Sequence, residues 1–178
     1  MTEKRASIGS RRNPETEAAI LEAAYEILIE KGVVALSMEA VARRARAGKA
    51  TLYRWWPTRG ALLLAVYRRQ KRMSPYADTG TLEGDVAAML ANLFAHWQRP
   101  EGRCFPHIIA AAQSDPDVAE ALRDYIDERQ TELETLMARA AQRGELRPGS
   151  PHGDMARAII GRARGVVRLG QRISRAGF

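Results

Sequence analysis

Ala42-Arg43-Arg44-Ala45-Arg46-Ala47-Gly48-Lys49-Ala50-Thr51-Leu52-Tyr53-Arg54-Trp55-Trp56-Pro57 is the stretch that decides how this chain is read. It predicts the end of one short helix, a break of a few residues, and a second short helix from about Lys49 to Trp55. Pro57 closes the second helix, because proline disfavours helical geometry in the residue before it. Leu52 and Trp56 suit a buried side of that helix, leaving Lys49, Ala50, Thr51, Tyr53, Arg54 and Trp55 toward the outside. Arg43, Arg44, Arg46 and Arg59 surround them. A helix that enters a DNA major groove needs a slim outer face, an anchored inner face, and cations or hydroxyls at its flanks to hold phosphates. The segment meets these requirements. Amphipathic helix pairs also arise as plain packing, so the pattern alone leaves both readings open.

Upstream, Asn13 offers a helix N-cap and Pro14 suits the first helical position. Ala18, Ile20, Leu21, Ala24, Ile27 and Leu28 form a helical stripe, and Gly32 ends it. Ser37 caps the next helix, from Met38 to about Ala45, which buries Met38, Val41, Ala42 and Ala45. Thr58 caps a further helix through about Arg72, with Leu62, Leu63, Val66 and Tyr67 apolar. Ser74–Gly80 reads as a connector. Beyond it, helices are expected over Thr81–Gln98, Arg103–Ser114, Pro116 to about Gln142 (closed by Gly144), and from near His152. No segment gives a clear strand signal, so the fold class expected is all-α. It comprises a flexible basic arm (1–12), a helix-turn-helix domain (13–74), a second helical domain (75–161) and an atypical basic tail (162–178).

Charge follows the same division. Residues 1–72 carry 15 Lys and Arg against 7 Asp and Glu, residues 73–161 carry 8 against 14, and residues 162–178 carry 5 against none. A basic front on an acidic body suits a chain of which only the front meets a polyanion; uneven surface charge alone gives the same figures. The arm (Lys4, Arg5, Arg11, Arg12) either reaches phosphates or the minor groove, or is a solvated terminus. With one cysteine, Cys104, no internal disulfide is possible, and no apolar run spans a bilayer. These features, with no secretory signal, predict a soluble cytoplasmic protein. His96, His107 and His152 have no metal-like spacing, and neither a nucleophile–base pattern nor a phosphate-binding glycine loop is present. No cofactor, metal, membrane or enzymatic activity is expected.

The segment from Ala42 to Leu62, with its Thr51-Leu52-Tyr53 core, the aromatic pair Trp55-Trp56 and Arg59 at the next helix start, resembles the signature of the tetracycline-repressor (TetR) family. The resemblance is close over about residues 14–72 and looser, in helix order only, from Thr81 to Gly161. It implies a DNA-binding transcriptional regulator. Ser37 would cap a helix and touch phosphate, and Lys49, Ala50 and Thr51 would face phosphate or base edges. Tyr53 would give its hydroxyl to a phosphate, Arg54 and Trp55 would contact bases or backbone, and Arg59 would contact phosphate. Arg44, Arg46 and Gly48 complete the expected interface. Arg46 stands where the family has a turn glycine, and Gly48 where it has a serine cap. A non-glycine residue at that turn is expected to adopt positive φ, at about 1 kcal/mol or more.

The resemblance also implies a homodimer on near-palindromic double-stranded operator DNA, repressing until a small apolar or amphipathic effector binds. Met89, Leu93, Phe94, Trp97, Phe105, His107, Ile108 and Tyr125 are the expected pocket residues, with ordinary core as the rival reading of each. The alternative function is a constitutive helical DNA-binding or interaction protein without an effector. Residues 162–178 depart from the family: five Arg, three Gly and no acid. The final helix of the dimer bundle is therefore expected to be missing, through a changed reading frame or truncation near residue 161; the rival is a divergent tail that adds DNA affinity.

Overall fold

The computed structural model describes residues 13–72 and 77–175, with side chains described except at 71–72, 164 and 166–175. The expected arm at 1–12, and residues 73–76 of the expected connector, lie outside the described residues.

The described chain is all-α: α1 (Pro14–Ala35), α2 (Met38–Arg44), α3 (Lys49–Trp55), α4 (Arg59–Arg72), α5 (Leu82–Gln98), a 3-10 turn (Gly102–Cys104), α6 (Phe105–Ala111), α7 (Pro116–Gln142) and α8 (His152–Arg175). The starts follow from local chemistry. Asn13 accepts from the Glu15 amide at 2.9 Å, Ser37 from Ala40 at 3.1 Å, Thr58 from Ala61 at 3.2 Å and Thr81 from Gly84 at 3.1 Å. Each side-chain oxygen satisfies an amide that has no partner in the first helical turn. Gly32 breaks α1 at φ 76°, ψ 175°, so residues 33–35 form a separate short turn leading toward α2.

Two cores hold the helices together. The larger gathers α1 to α4 and continues past the connector into α6 and the first half of α7, through Cys104, Phe105, Ile108, Val118, Leu122 and Tyr125. The smaller joins Met89 of α5 to Leu133, Leu136 and Met137 of α7 and Ala156 of α8. Asp85, buried on α5, is bound by the Thr79 amide at 2.6 Å, the Thr79 hydroxyl at 2.8 Å and Arg143 at 3.3 Å. These donors hold its carboxyl below the ordinary range, Thr79 most strongly.

The basic segment after Gly161 continues α8 to Arg175, and no separate helix follows α8 among the described residues. Arginine is a good helix former, and Ile159, Ala163 and Val166 recur at helical intervals, so glycine content did not decide the outcome. Among the described residues no helix is long and apolar enough to cross a membrane.

Candidate nucleic-acid interface

The turn between α2 and α3 is built on Arg46. Its φ is 51°, the left-handed value expected, and it is the one non-glycine residue with positive φ among the described residues. The Arg46 amide donates to Arg43 O at 3.3 Å and the Ala47 amide to Ala42 O at 3.0 Å. This nested pair satisfies the last carbonyls of α2. The same pair closes α7, where glycine holds the corresponding place: Gly144 to Ala141 O at 3.0 Å and Glu145 to Ala140 O at 3.0 Å. Arg46 accepts a backbone geometry that α7 assigns to glycine, and its side chain is exposed.

Gly48 is the N-cap of α3 and makes no side-chain cap bond. Leu52 anchors the helix at 0% exposure. The outer side carries Lys49, Ala50, Tyr53 and Arg54, all exposed, with Thr51 half-buried. Trp55 corrects the reading made from sequence. It is only 9% exposed, beside Trp56 at 3%, with the two rings edge to face at 5.9 Å. Positions 52, 55 and 56 share one helix face by the three- and four-residue rule, so Trp55 belongs to the anchor and not to the groove-facing set. The Arg54 guanidinium lies 5.9 Å from the Trp55 ring centroid, which draws it toward that edge of the helix.

Two arginines expected on phosphate are engaged inside the protein. Arg44 bonds Glu30 at 2.6 Å and lies 3.5 Å from Glu26, both on α1. Arg59 donates through Nε to the Leu36 carbonyl at 2.8 Å and through Nη2 to the Val33 carbonyl. These partners depend on how α1 and α4 approach the turn, which no local pattern displays. Ser37 spends its hydroxyl oxygen on the Ala40 amide.

Glu39 was not anticipated. From α2 it accepts the Tyr53 hydroxyl at 3.2 Å and stands 4.0 Å from Lys49 Nζ. Its own backbone amide at the helix start, then the Tyr53 hydroxyl, hold its carboxyl below the usual range. Desolvation and then this carboxylate push the Tyr53 phenol up. An acid at the second position of α2 reads as a helix-start residue, and its reach to α3 is a tertiary fact.

The expected pocket residues divide. Phe105, Tyr125 and Trp97 gather around Tyr67 of α4, a residue the sequence placed only in a helical stripe. Tyr67 stacks on Phe105 at 4.8 Å and meets Tyr125 edge-on at 5.6 Å. The Trp97 indole donates to its hydroxyl at 3.2 Å. His96 also meets the Tyr67 ring, at 5.1 Å. Burial pushes the Tyr67 phenol well above its ordinary value, and pushes the neighbouring Cys104 thiol up to about 12. Ile108 is buried in the same core, Leu93 is half-buried, and Phe94 is 38% exposed against Trp97. Met89 and His107 are corrections: Met89 packs in the smaller core with α7 and α8, and His107 is exposed. Both sat at helical spacing in the sequence; tertiary packing sets Met89 in the other core and leaves His107 at the surface.

Comparison with known proteins agrees with this arrangement. Residues 20–66 match the model for bacterial regulatory proteins of the tetR family, and residues 76–172 match the tetracyclin repressor-like C-terminal domain. The second match runs well beyond residue 161, which speaks against a shifted reading frame beginning there. The chain is 33% identical over 141 residues to the uncharacterized HTH-type transcriptional regulator YdeS of Bacillus subtilis, covering 78% of this chain and 71% of that one. It is 30% identical over 137 residues to the DNA-binding transcriptional repressor TetR of Mycobacteroides abscessus, covering 75% and 72%. The crystal structure of the TetR family transcription regulator SCO0332 superposes with a TM-score of 0.70 at 32% identity, covering 84% of this chain and 86% of that one. With helix-turn-helix and C-terminal domain both matched, the chain belongs to the TetR family of DNA-binding transcriptional regulators and is not an enzyme.

Proposed function

We propose that this regulator is a repressor that binds a near-palindromic operator as a homodimer and leaves it when a small apolar or amphipathic effector binds. The observation that carries the DNA half is the two-sidedness of α3: Leu52, Trp55 and Trp56 anchor it, while Lys49, Ala50, Tyr53 and Arg54 are exposed on one slim surface. Lys49 and the Tyr53 hydroxyl then hold phosphates, exchanging the Glu39 carboxylate for phosphodiester oxygens of the backbone. Ala50 and Thr51 approach base edges, Arg54 the bases or backbone, and Arg46 and Ser37 flank them. A short recognition helix reads only a few base pairs, which is the physical reason for pairing two half-sites.

The effector half rests on Tyr67, which belongs to α4 yet packs within the aromatic group of α5 to α7. A ligand that rearranges Trp97, Phe105 or Tyr125 acts directly on α4, and α4 packs against α1. Release follows if the ligand favours the arrangement in which two α3 helices no longer match successive grooves. Residues 13–74 form the DNA-binding part in this reading and 75–161 the effector and dimer part, with the basic segment from 162 continuing α8.

The test is selection of duplexes from a randomised pool by the full chain, followed by titration of small amphipathic compounds against the selected duplex. A two-fold site, bound about a thousandfold or more tighter than random duplex at stated salt, is the expected outcome. Binding without sequence preference favours the constitutive DNA-binding reading, and affinity unmoved by every ligand that binds removes the induction step.

A further inference from the structure

Three arginines brace α4, each toward a different partner. Arg69 donates to Glu22 at 2.6 Å and to the Ala18 carbonyl at 3.4 Å, both on α1. Arg68 pairs with Glu128 of α7. Arg59, at the first position of α4, binds the backbone carbonyls of Val33 and Leu36. Those carbonyls lie between the Gly32 break and Ser37, in the short segment that leads into the DNA-reading helix pair.

A cation at the first residue of a helix is electrostatically unfavourable, because that end carries the positive pole of the helix dipole. Arg59 must draw compensation from elsewhere, and the two carbonyls supply it through charge-assisted hydrogen bonds. To reach a phosphate, its guanidinium would have to abandon both. Leu36 is buried at 1% exposure, so its freed carbonyl would have little water to turn to.

We propose that Arg59 is a positioning residue for the helix-turn-helix and makes no phosphate contact. It clamps segment 33–36, and through Ser37 the start of α2, to the first turn of α4. A displacement of α4 is thereby delivered to the helix pair at its entry point. The fork geometry explains arginine at this place. Two side-by-side donors on one edge of the guanidinium meet two carbonyls three residues apart, whereas a lysine ammonium offers a single point charge. The inference rests on the DNA-binding function proposed above.

The test compares the full chain with Arg59→Gln and Arg59→Lys on two duplexes, one selected by the parent chain and one of random sequence, between about 50 and 200 mM salt. A positioning role predicts an unchanged salt slope on random duplex for both variants. It also predicts a loss of about tenfold or more in discrimination for both, because lysine keeps the charge but not the fork. Amide exchange of residues 37–45 in the free protein is expected to quicken in both variants while that of α7 stays as in the parent chain, a readout that needs no DNA and separates local loosening from unfolding. A salt slope reduced by about one unit in Arg59→Gln and restored in Arg59→Lys would identify a phosphate contact and overturn the proposal. Unchanged exchange at 37–45 overturns it as well. If the parent chain itself fails to discriminate duplexes, the sequence-specific operator reading falls and takes this role with it, whatever the exchange rates.

Discussion

Gly60 and Ala111 bring α4 and α6 so close together that a Cβ on Gly60 would stand 2.8 Å from the Cβ of Ala111. The same Cβ would lie 3.2 Å from a Val118 methyl of α7. The helix that carries the DNA-binding part thus meets the body at a point where even one methyl group is too many. Gly60→Ala gains up to about 1 kcal/mol of helix propensity but overpacks this joint at about 1–3 kcal/mol. A fall of a few degrees in Tm is expected by calorimetry, larger for Gly60→Val. A Tm equal to or above that of the parent chain would mean that the two helices part freely.

Arg46 gives an opposite expectation. Its left-handed geometry costs about 1 kcal/mol, which Arg46→Gly relieves, less some chain entropy. Denaturant unfolding should show the variant unchanged or up to about 1 kcal/mol more stable. Its binding to random duplex should weaken, with a salt slope smaller by about one if Arg46 meets a phosphate. A destabilised variant would contradict the turn geometry, and an unaltered slope would remove Arg46 from the interface.

Tyr67→Phe keeps the ring stacked on Phe105 and deletes the acceptor of the Trp97 indole. With one half-buried donor left unpaired, a loss of about 1–2 kcal/mol is expected, together with a changed Trp fluorescence. Full stability with unchanged emission would show that the hydrogen bond contributes nothing.

Asp85 ties stability to acid pH. Its folded carboxyl titrates below the ordinary 3.8, so the stabilisation is complete above about pH 4 and disappears as pH falls through the folded value. The Tm gap between the parent chain and Asp85→Asn should be full at pH 7 and close below about pH 4. A gap independent of pH would mean that the charge on Asp85 is not what the Thr79 and Arg143 contacts stabilise.

What the sequence disclosed and what it hid have a common cause. Asn13, Ser37, Thr58, Gly32 and Gly144 act within a few residues of themselves, and each sits where local rules place it. The positive φ of Arg46 was legible through the resemblance, which puts a turn glycine at that place. Trp55 was legible too: three residues from Leu52, it lies on the buried face, although pairing Leu52 with Trp56 alone left it toward the outside. Arg44, Arg59 and Glu39 were not legible, since their partners are 14 to 26 residues away in sequence or on another helix. Tyr67 looked like one apolar position among several until α5, α6 and α7 closed around it. Local chemistry shows where helices begin, end and face; tertiary approach determines which cation remains for a polyanion.

The exposed edge of α3 can be interrogated directly, because Cys104 is the one cysteine of the chain and is buried with its thiol pushed up to about 12. Ala50→Cys therefore places a single reactive thiol on the outer surface of α3, to which a DNA-cleaving iron chelate is attached. On the selected duplex, cuts are expected within two short major-groove segments spaced by about one helical turn or a multiple of it. Cleavage no different from that by free chelate, or confined to a single segment far from the protected site, would show that α3 is not the helix in the groove.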